Sequence, residues 1–407
     1  MKKLMYLLPV AALAMASCSN SEDVAQSVQS PVQNQELKFF PAIEGNTRGA
    51  IETTASISQF YVYASGDLKT SPLKTVETDY TPAWQSVDKI GTVWTPENKI
   101  YWALDTEVDP NGPASANFTA YANATGTSEI TSTQLKDVTI ASDVNNQKDL
   151  VVAFNSGKRT DFLTGVPLHF RHALSQIVVN ATYANDADES LLTTYPELVV
   201  KVKTVKFVNL ANKGTLTLPS ASTAAGQDYT AAWSGVEGEE DFATAPVSAV
   251  TLASAAQFID QSAANNPLLL MPQKTDPTTD LAVASPTGAY LMVEVDIDYK
   301  EPFDRDGDGT EFDAITNLYP KEGYSDNGGY AWIAVPVAID WKAGYKYTYT
   351  LNFSNIAAGY VAPRENAAGA TDTADGDPVI EDIRRLVNFL VTVEEAWTDG
   401  GTFTPAL

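Results

Sequence analysis

Cysteine and histidine are nearly absent from this chain of 407 residues: it has one cysteine, Cys18, and two histidines, His169 and His172. A single thiol excludes an intrachain disulfide, so stability must come from buried apolar area and backbone pairing. Two imidazoles leave little conventional catalytic equipment, and no Ser/His/Asp spacing stands out; the sequence reads as a non-enzyme. Basic residues are scarce as well. Lys and Arg number 26 against 51 Asp and Glu, for a formal net charge of −25. Such a chain has too little positive charge to displace counterions from a phosphate backbone, which excludes a nucleic-acid partner. Long amphipathic helical patterns are missing too, and Ala253–Ala264 is the one short helical candidate.

The one apolar run of any length lies at the start. Lys2 and Lys3 precede the stretch from Leu4 to Ala16, and Ala16-Ser17-Cys18 closes it with small residues. It is too short to span a bilayer stably and reads as a secretory signal, residues 1–17. Cys18 stands where a lipoprotein signal peptidase cuts, so its thiol is expected to be acylated and to anchor the chain to outer-membrane lipid. Met15 is unusual in that motif, and an incidental cysteine in an ordinary signal is the alternative. Ser19-Asn20-Ser21-Glu22-Asp23 looks like the acidic surface-export tag of some gram-negative lipoproteins.

What is plentiful is strand-forming material. Threonine, valine and tyrosine abound, and several stretches alternate with period two, so the chain reads as all-β. Leu291–Tyr299 places apolar residues at odd positions and carboxylates at later even ones. Tyr345, Tyr347, Tyr349, Leu351 and Phe353 share a face, as do Ile177, Val179, Ala181 and Tyr183. Further candidates are Val200–Lys203, Val205–Leu210, Gln59–Ala64, Asp149–Phe154 and Tyr330–Val337. The length suits two domains, with a boundary near Leu218 that divides 49–218 from 219–407. Pro219–Tyr229 reads as a loop, and Ala357–Gly376 as a mobile segment that detaches the last strand.

Two isolated strands mark the ends. Leu37, Phe39 and Ile43 fall on one face of the first, and Pro41, which cannot donate to a ladder, predicts an edge position. The turn-like Gly45-Asn46-Thr47-Arg48-Gly49 follows, with Arg48 a candidate cleavage site for an arginine-specific protease and Gly49 the new terminus. The other reading is a surface arginine in a loop. In the last strand Val387, Phe389, Val391 and Val393 line one side, with Leu386 and Leu390 on the other. It is either the final core strand of its domain or a donor. If cleavage at Arg48 removed the first strand, residues 18–48 would act as a propeptide, and its departure would expose an apolar groove with unpaired backbone. A strand from a neighbouring copy would fill that groove head-to-tail and so build a filament.

Three further clusters offer candidate sites. Asp304, Asp306 and Asp308, followed by Gly309, open like a calcium loop, but Ile315 stands where an EF-hand places its closing Glu. Bound calcium and a plain solvated acidic turn both fit; no other cofactor is expected. His169 and His172 on one strand would face opposite sides, which disfavours a shared metal and favours packed histidines. The Tyr345–Tyr349 face suits core packing better than a sugar-stacking platform.

Several of these segments, in their order, resemble the fimbrillin family, subunits of the lipoprotein-derived type V pili of anaerobic gut and oral bacteria. They are the lipobox at Cys18, the Phe39…Thr47-Arg48 stretch, Phe170-Arg171-His172-Ala173-Leu174-Ser175-Gln176-Ile177, Leu269-Leu270-Met271-Pro272-Gln273, Trp341-Lys342-Ala343-Gly344-Tyr345-Lys346-Tyr347-Thr348-Tyr349 and Val391–Trp397. The resemblance implies two tandem transthyretin-like β-sandwich domains, cleavage after Arg48, and polymerisation by strand exchange with a donor from about residue 386. It implies a structural stalk subunit of a surface pilus, with copies of itself and other pilus subunits as partners. The alternatives are a tip or accessory adhesin, or a monomeric surface lipoprotein that binds glycan or a host surface ligand. A β-sandwich hydrolase is disfavoured by the missing catalytic constellation.

Overall fold

A computed structural model describes residues 35–43, 56–73, 78–104, 113–184, 197–220, 231–244, 248–259, 267–276, 287–300, 317–320, 329–354, 362–364 and 387–394. Cys18, Arg48, Gly49, Asp304, Asp306 and Asp308 lie outside these residues. Period-two alternation makes strands with one face to bury, and strands are what form. Among the described residues the only helical turns are two 3-10 turns, Val144–Asn146 and Arg159–Asp161. No described helix is long and apolar enough to cross a membrane. The helical candidate at Ala253–Ala264 contains a strand instead: Gln257–Phe258 pairs with Asn180 and Ala181, and residues 260–264 lie outside the described set. Pairing with a neighbouring strand satisfies backbone groups that an isolated alanine-rich turn satisfies only locally.

Seven strands form a closed path near the N-terminus. Their order is Phe39–Ile43, Val166–His172, Val151–Lys158, Ser115–Ala122, Gln59–Gly66, Trp84–Ile90 and Val93–Pro96. The path closes through a single residue pair, Phe39 with Trp94. Its interior is aromatic, with Phe39, Phe60, Phe118, Trp102 and Phe170 all fully buried.

A second buried cluster takes in Leu135, Val138, Ile140, Leu150 and Val152 together with Ala173, Leu174 and most of the buried apolar residues from Ile177 onward. Leu198–Leu210 pairs antiparallel with Tyr290–Tyr299, which pairs in turn with Ala331–Pro336. The two sequence candidates at Val200–Lys203 and Val205–Leu210 are one strand, with an irregularity between Val202 and Thr204. Ser175–Ala184 runs parallel to Lys346–Ser354, over nine register pairs from Gln176 with Lys346 to Ala184 with Ser354.

The second cluster has members on both sides of the boundary expected near Leu218, from Tyr121 to Phe353. Lys213–Thr217 pairs with Ala232–Glu237 across that point, and Ser175–Ala184 and Leu198–Leu210 already pack with C-terminal strands. The two cores interleave along the chain between Tyr121 and Leu174, where Val152 belongs to the second cluster and Val151 and Ala153 to the first. A run of alternating strands carries no mark of which sheet each joins, so pairing over more than 150 residues was invisible in the local pattern. Ala357–Gly376 also differs from its reading as a detached linker. Ala362–Arg364 within it is a strand paired with Trp332, Ile333 and Ala334, and its other residues lie outside the described set.

Three of the sequence segments that carry the family resemblance meet where Val166–His172 passes into Ser175–Ala184. Gly344 donates its N–H to the Leu174 carbonyl at 2.8 Å, and Gln176 donates to Tyr345 at 2.9 Å. The Ser175 hydroxyl donates to the Lys342 carbonyl at 2.9 Å. Leu268–Leu270 pairs with Ser175–Ile177, and the Leu269 N–H donates to the buried Gln147 side chain at 2.7 Å. These motifs therefore fix how distant strands dock.

Candidate functional site

The first strand is held on both flanks. On one flank it runs parallel to Val166–His172, from Phe39 opposite Val166 to Ile43 opposite Phe170. On the other, Leu37 donates its N–H to the Ile100 carbonyl and Trp102 donates to the Gln35 carbonyl, both at 2.8 Å. The Gln35 side chain donates to the Leu163 carbonyl at 2.8 Å. Glu36 forms an ion pair with Lys99 at 3.2 Å, and this carboxylate raises the exposed ammonium's pKa.

Pro41 fits this arrangement without losing a bond. Val166 donates its N–H to the Lys38 carbonyl at 2.8 Å. In a parallel ladder alternate residues turn their backbone groups to the same neighbour, so Lys38, Phe40 and Ala42 bond that flank. Pro41 then faces the opposite flank, where Phe39 with Trp94 is the only pair within the strand. The edge position expected from Pro41 is met on that flank alone, since the strand otherwise sits between two neighbours.

The side chains reach deep. Phe39 is fully buried, with its ring edge-on to Phe118 at 5.7 Å and to Phe60 at 6.2 Å. Leu37, Ala42 and Ile43 are buried too, while Phe40 points outward and is 42% exposed. Phe40 lies over Gly165, where a Cβ would stand 2.5 Å from the Phe40 ring and 3.0 Å from the Lys38 carbonyl. Gly165 thus walls the strand on its outward side, and its φ of +141° also favours glycine. Burying each large apolar side chain contributes about 1.5–3 kcal/mol. Without residues 35–43 the chain would present a slot floored by Phe60 and Phe118, flanked by unpaired backbone of Val166–Phe170 and Ile100–Trp102.

At the other end, Val387–Glu394 pairs antiparallel with Lys346–Ser354 over eight residues, from Lys346 with Glu394 to Phe353 with Val387. It is the terminal strand of a sheet that continues through Ser175–Ala184 to Gln257–Phe258. In the free chain, therefore, this strand lies against its own molecule at a sheet edge. An edge strand is held on one side and can leave without dividing the sheet.

The remaining candidates resolve as packing. His169 and His172 are both buried on Val166–His172, and His172 Nδ1 lies 2.8 Å from Asp149 Oδ2. Tyr347 and Tyr349 are core residues, and the Trp341 indole N–H donates to the Tyr349 hydroxyl at 2.9 Å. Among the described residues no group of three His, Cys, Asp or Glu side chains is placed to hold a metal ion. Sequence reading found Leu37, Phe39 and Ile43 but missed the walls of the slot: Ile100, Trp102 and Gly165. Of these only Gly165, the glycine just before an alternating strand, carried a readable signal.

A family model described as fimbrillin-like matches residues 47–370, a span that leaves both end strands outside it. No curated protein matches. Among solved structures the chain is similar to a fimbrial protein from Bacteroides vulgatus, at 15% identity and a TM-score of 0.44, covering 90% of this chain and 100% of that one. It is also similar to a protein assigned to cell adhesion from Parabacteroides distasonis, at 11% identity and a TM-score of 0.42, covering 91% and 100%.

Proposed function

This chain belongs to the fimbrillin-like family, and on that premise we propose that it is a pilin subunit assembled by strand exchange. In this reading it is exported to the outer membrane as a lipoprotein through acylated Cys18. An arginine-specific protease cuts after Arg48, leaving Gly49 as the new terminus. Residues 35–43 leave the N-terminal barrel, and the C-terminal strand Val387–Glu394 of the next copy takes their place. The subunit is then a building block of a surface pilus stalk, with other pilus subunits as its partners and no catalytic role.

The observation that carries this reading is the seat of the first strand. The segment supplies Leu37, Phe39 and Ile43 to the barrel core, yet it is continuous with the candidate cleavage site only five residues beyond Ile43. Its loss leaves both apolar surface and unpaired backbone, which a strand satisfies and a globular partner does not.

The own-chain pairing of Val387–Glu394 favours a second reading, a surface lipoprotein that stays monomeric and binds through its loops. Limited trypsin digestion of the exported chain, with mass spectrometry and negative-stain microscopy, separates the two. A cut after Arg48 followed by fibres supports the pilin; a cut with no assembly over days of incubation supports an accessory or tip subunit. Resistance of Arg48 to protease in the folded chain favours the monomer.

A further inference from the structure

The two end strands match in kind at five of seven places when read in the same direction. Leu37-Lys38-Phe39-Phe40-Pro41-Ala42-Ile43 aligns with Val387-Asn388-Phe389-Leu390-Val391-Thr392-Val393. Each has an aliphatic residue first, a polar residue second and phenylalanine third. An apolar residue follows at the fourth place, where Phe40 points outward over Gly165. Each ends on a β-branched residue, where Ile43 is buried opposite Phe170.

Read in opposite directions over the same seven places, the match fails at the Phe39 pocket. Val391 would then fall where Phe39 stands, and Phe389 would fall on Pro41. A valine in a space that holds a phenylalanine ring between Phe60 and Phe118 leaves a void, and voids in a packed core are destabilising. The backbone also distinguishes the two directions. The seat receives its present occupant in parallel, with the Lys38 carbonyl taking the Val166 N–H and the Leu37 N–H meeting the Ile100 carbonyl. A second parallel strand in the same register reproduces those bonds through Asn388 and Val387.

We propose that the incoming C-terminal strand of a second copy lies parallel to Val166–His172, in the register that seats Phe389 in the Phe39 pocket. Phe389 is then the residue that fixes register, and Leu390 covers Gly165. The strand reverses direction relative to its nearest neighbour on transfer, from antiparallel beside Lys346–Ser354 to parallel beside Val166–His172. This inference rests on the strand-exchange reading and adds to it the orientation and register of the donor.

Engineered thiols test it cleanly, because cleavage after Arg48 removes Cys18 and leaves a mature subunit without cysteine. Ala42 lies opposite His169. The parallel register puts Thr392 at that place, and the antiparallel one puts Asn388 there. Facing Cα atoms on paired strands are within disulfide range. Fibres of the double variant T392C/H169C should therefore resolve, without reductant, into covalent ladders that collapse to monomer on reduction. Fibres of N388C/H169C should run as monomer in both conditions. The reverse result overturns the parallel register, as do fibres in which neither pair cross-links. If His169→Cys prevents folding, the same comparison uses Arg171→Cys, with E394C for the parallel and L386C for the antiparallel arrangement. Failure of the unmodified cleaved chain to form fibres overturns the strand-exchange reading and this register with it.

Discussion

Phe39 stands edge-on to Phe118, with ring centroids 5.7 Å apart and planes at 77°, so a residue expected to be cut away from the subunit lies at the centre of its N-terminal core. Its ring is fully buried, and edge-to-face aromatic contact adds to the area it removes from water.

Phe39→Ala should therefore destabilise the uncut chain by about 3–5 kcal/mol. Denaturant unfolding followed by tryptophan fluorescence, to which Trp94 and Trp102 of this core contribute, reads this. After cleavage at Arg48 and release of residues 35–43 the variant and the parent are the same molecule, so their subunits should then unfold and assemble identically.

Gly344 links the two family segments through its N–H to Leu174, and its φ is +75°. A Cβ there meets the His172 carbonyl at an ordinary 3.5 Å, so the cost of Gly344→Ala is conformational and not steric crowding by neighbours. The left-handed region penalises an L side chain by about 1–2 kcal/mol. The expected result is a fall in the denaturant midpoint of that size, with cleavage at Arg48 unchanged.

Burial pushes the Tyr121 and Tyr183 hydroxyls up to about 12, and burial raises Tyr349 as well. A phenol that keeps its proton in the folded state but loses it at about pH 10 when unfolded contributes stability that is complete below pH 10. That contribution is lost as pH rises through the folded value. Stability should thus fall between about pH 10 and 12, and Tyr121→Phe should make the fall shallower by on the order of 1–2 kcal/mol. Urea midpoints measured at pH 8, 10 and 11.5 give the comparison.

Deleting Leu386–Leu407 removes an edge strand and leaves Lys346–Ser354 paired with Ser175–Ala184. The truncated chain should fold, be cut after Arg48 and remain monomeric by light scattering. An unchanged yield of fibres would show that the donor lies elsewhere.

The all-β character was legible because alternation in segments such as Leu291–Tyr299 and Tyr345–Phe353 depends only on local spacing. The two end strands were legible for the same reason, down to the shared face of Leu37, Phe39 and Ile43. What local spacing does not carry is partnership. Nothing around Leu218 indicates that Ser175–Ala184 pairs with a strand near residue 350. Nor did Pro41 reveal that its missing N–H faces one flank of a strand held on two. The walls of the slot come from three loops and strands far apart in the chain, which only the folded backbone brings together.

The central claim, that a second copy's C-terminal strand fills the seat of the first, is tested most directly with two half-competent chains. One carries Arg48→Ala and keeps its first strand, so it can donate but not accept. The other lacks Leu386–Leu407, is cut with trypsin and freed of protease, and can accept but not donate. The account predicts that neither associates alone and that mixing them yields a one-to-one heterodimer that stops there, as read by size exclusion with light scattering. Absence of the heterodimer, or self-association of either chain alone, would contradict it.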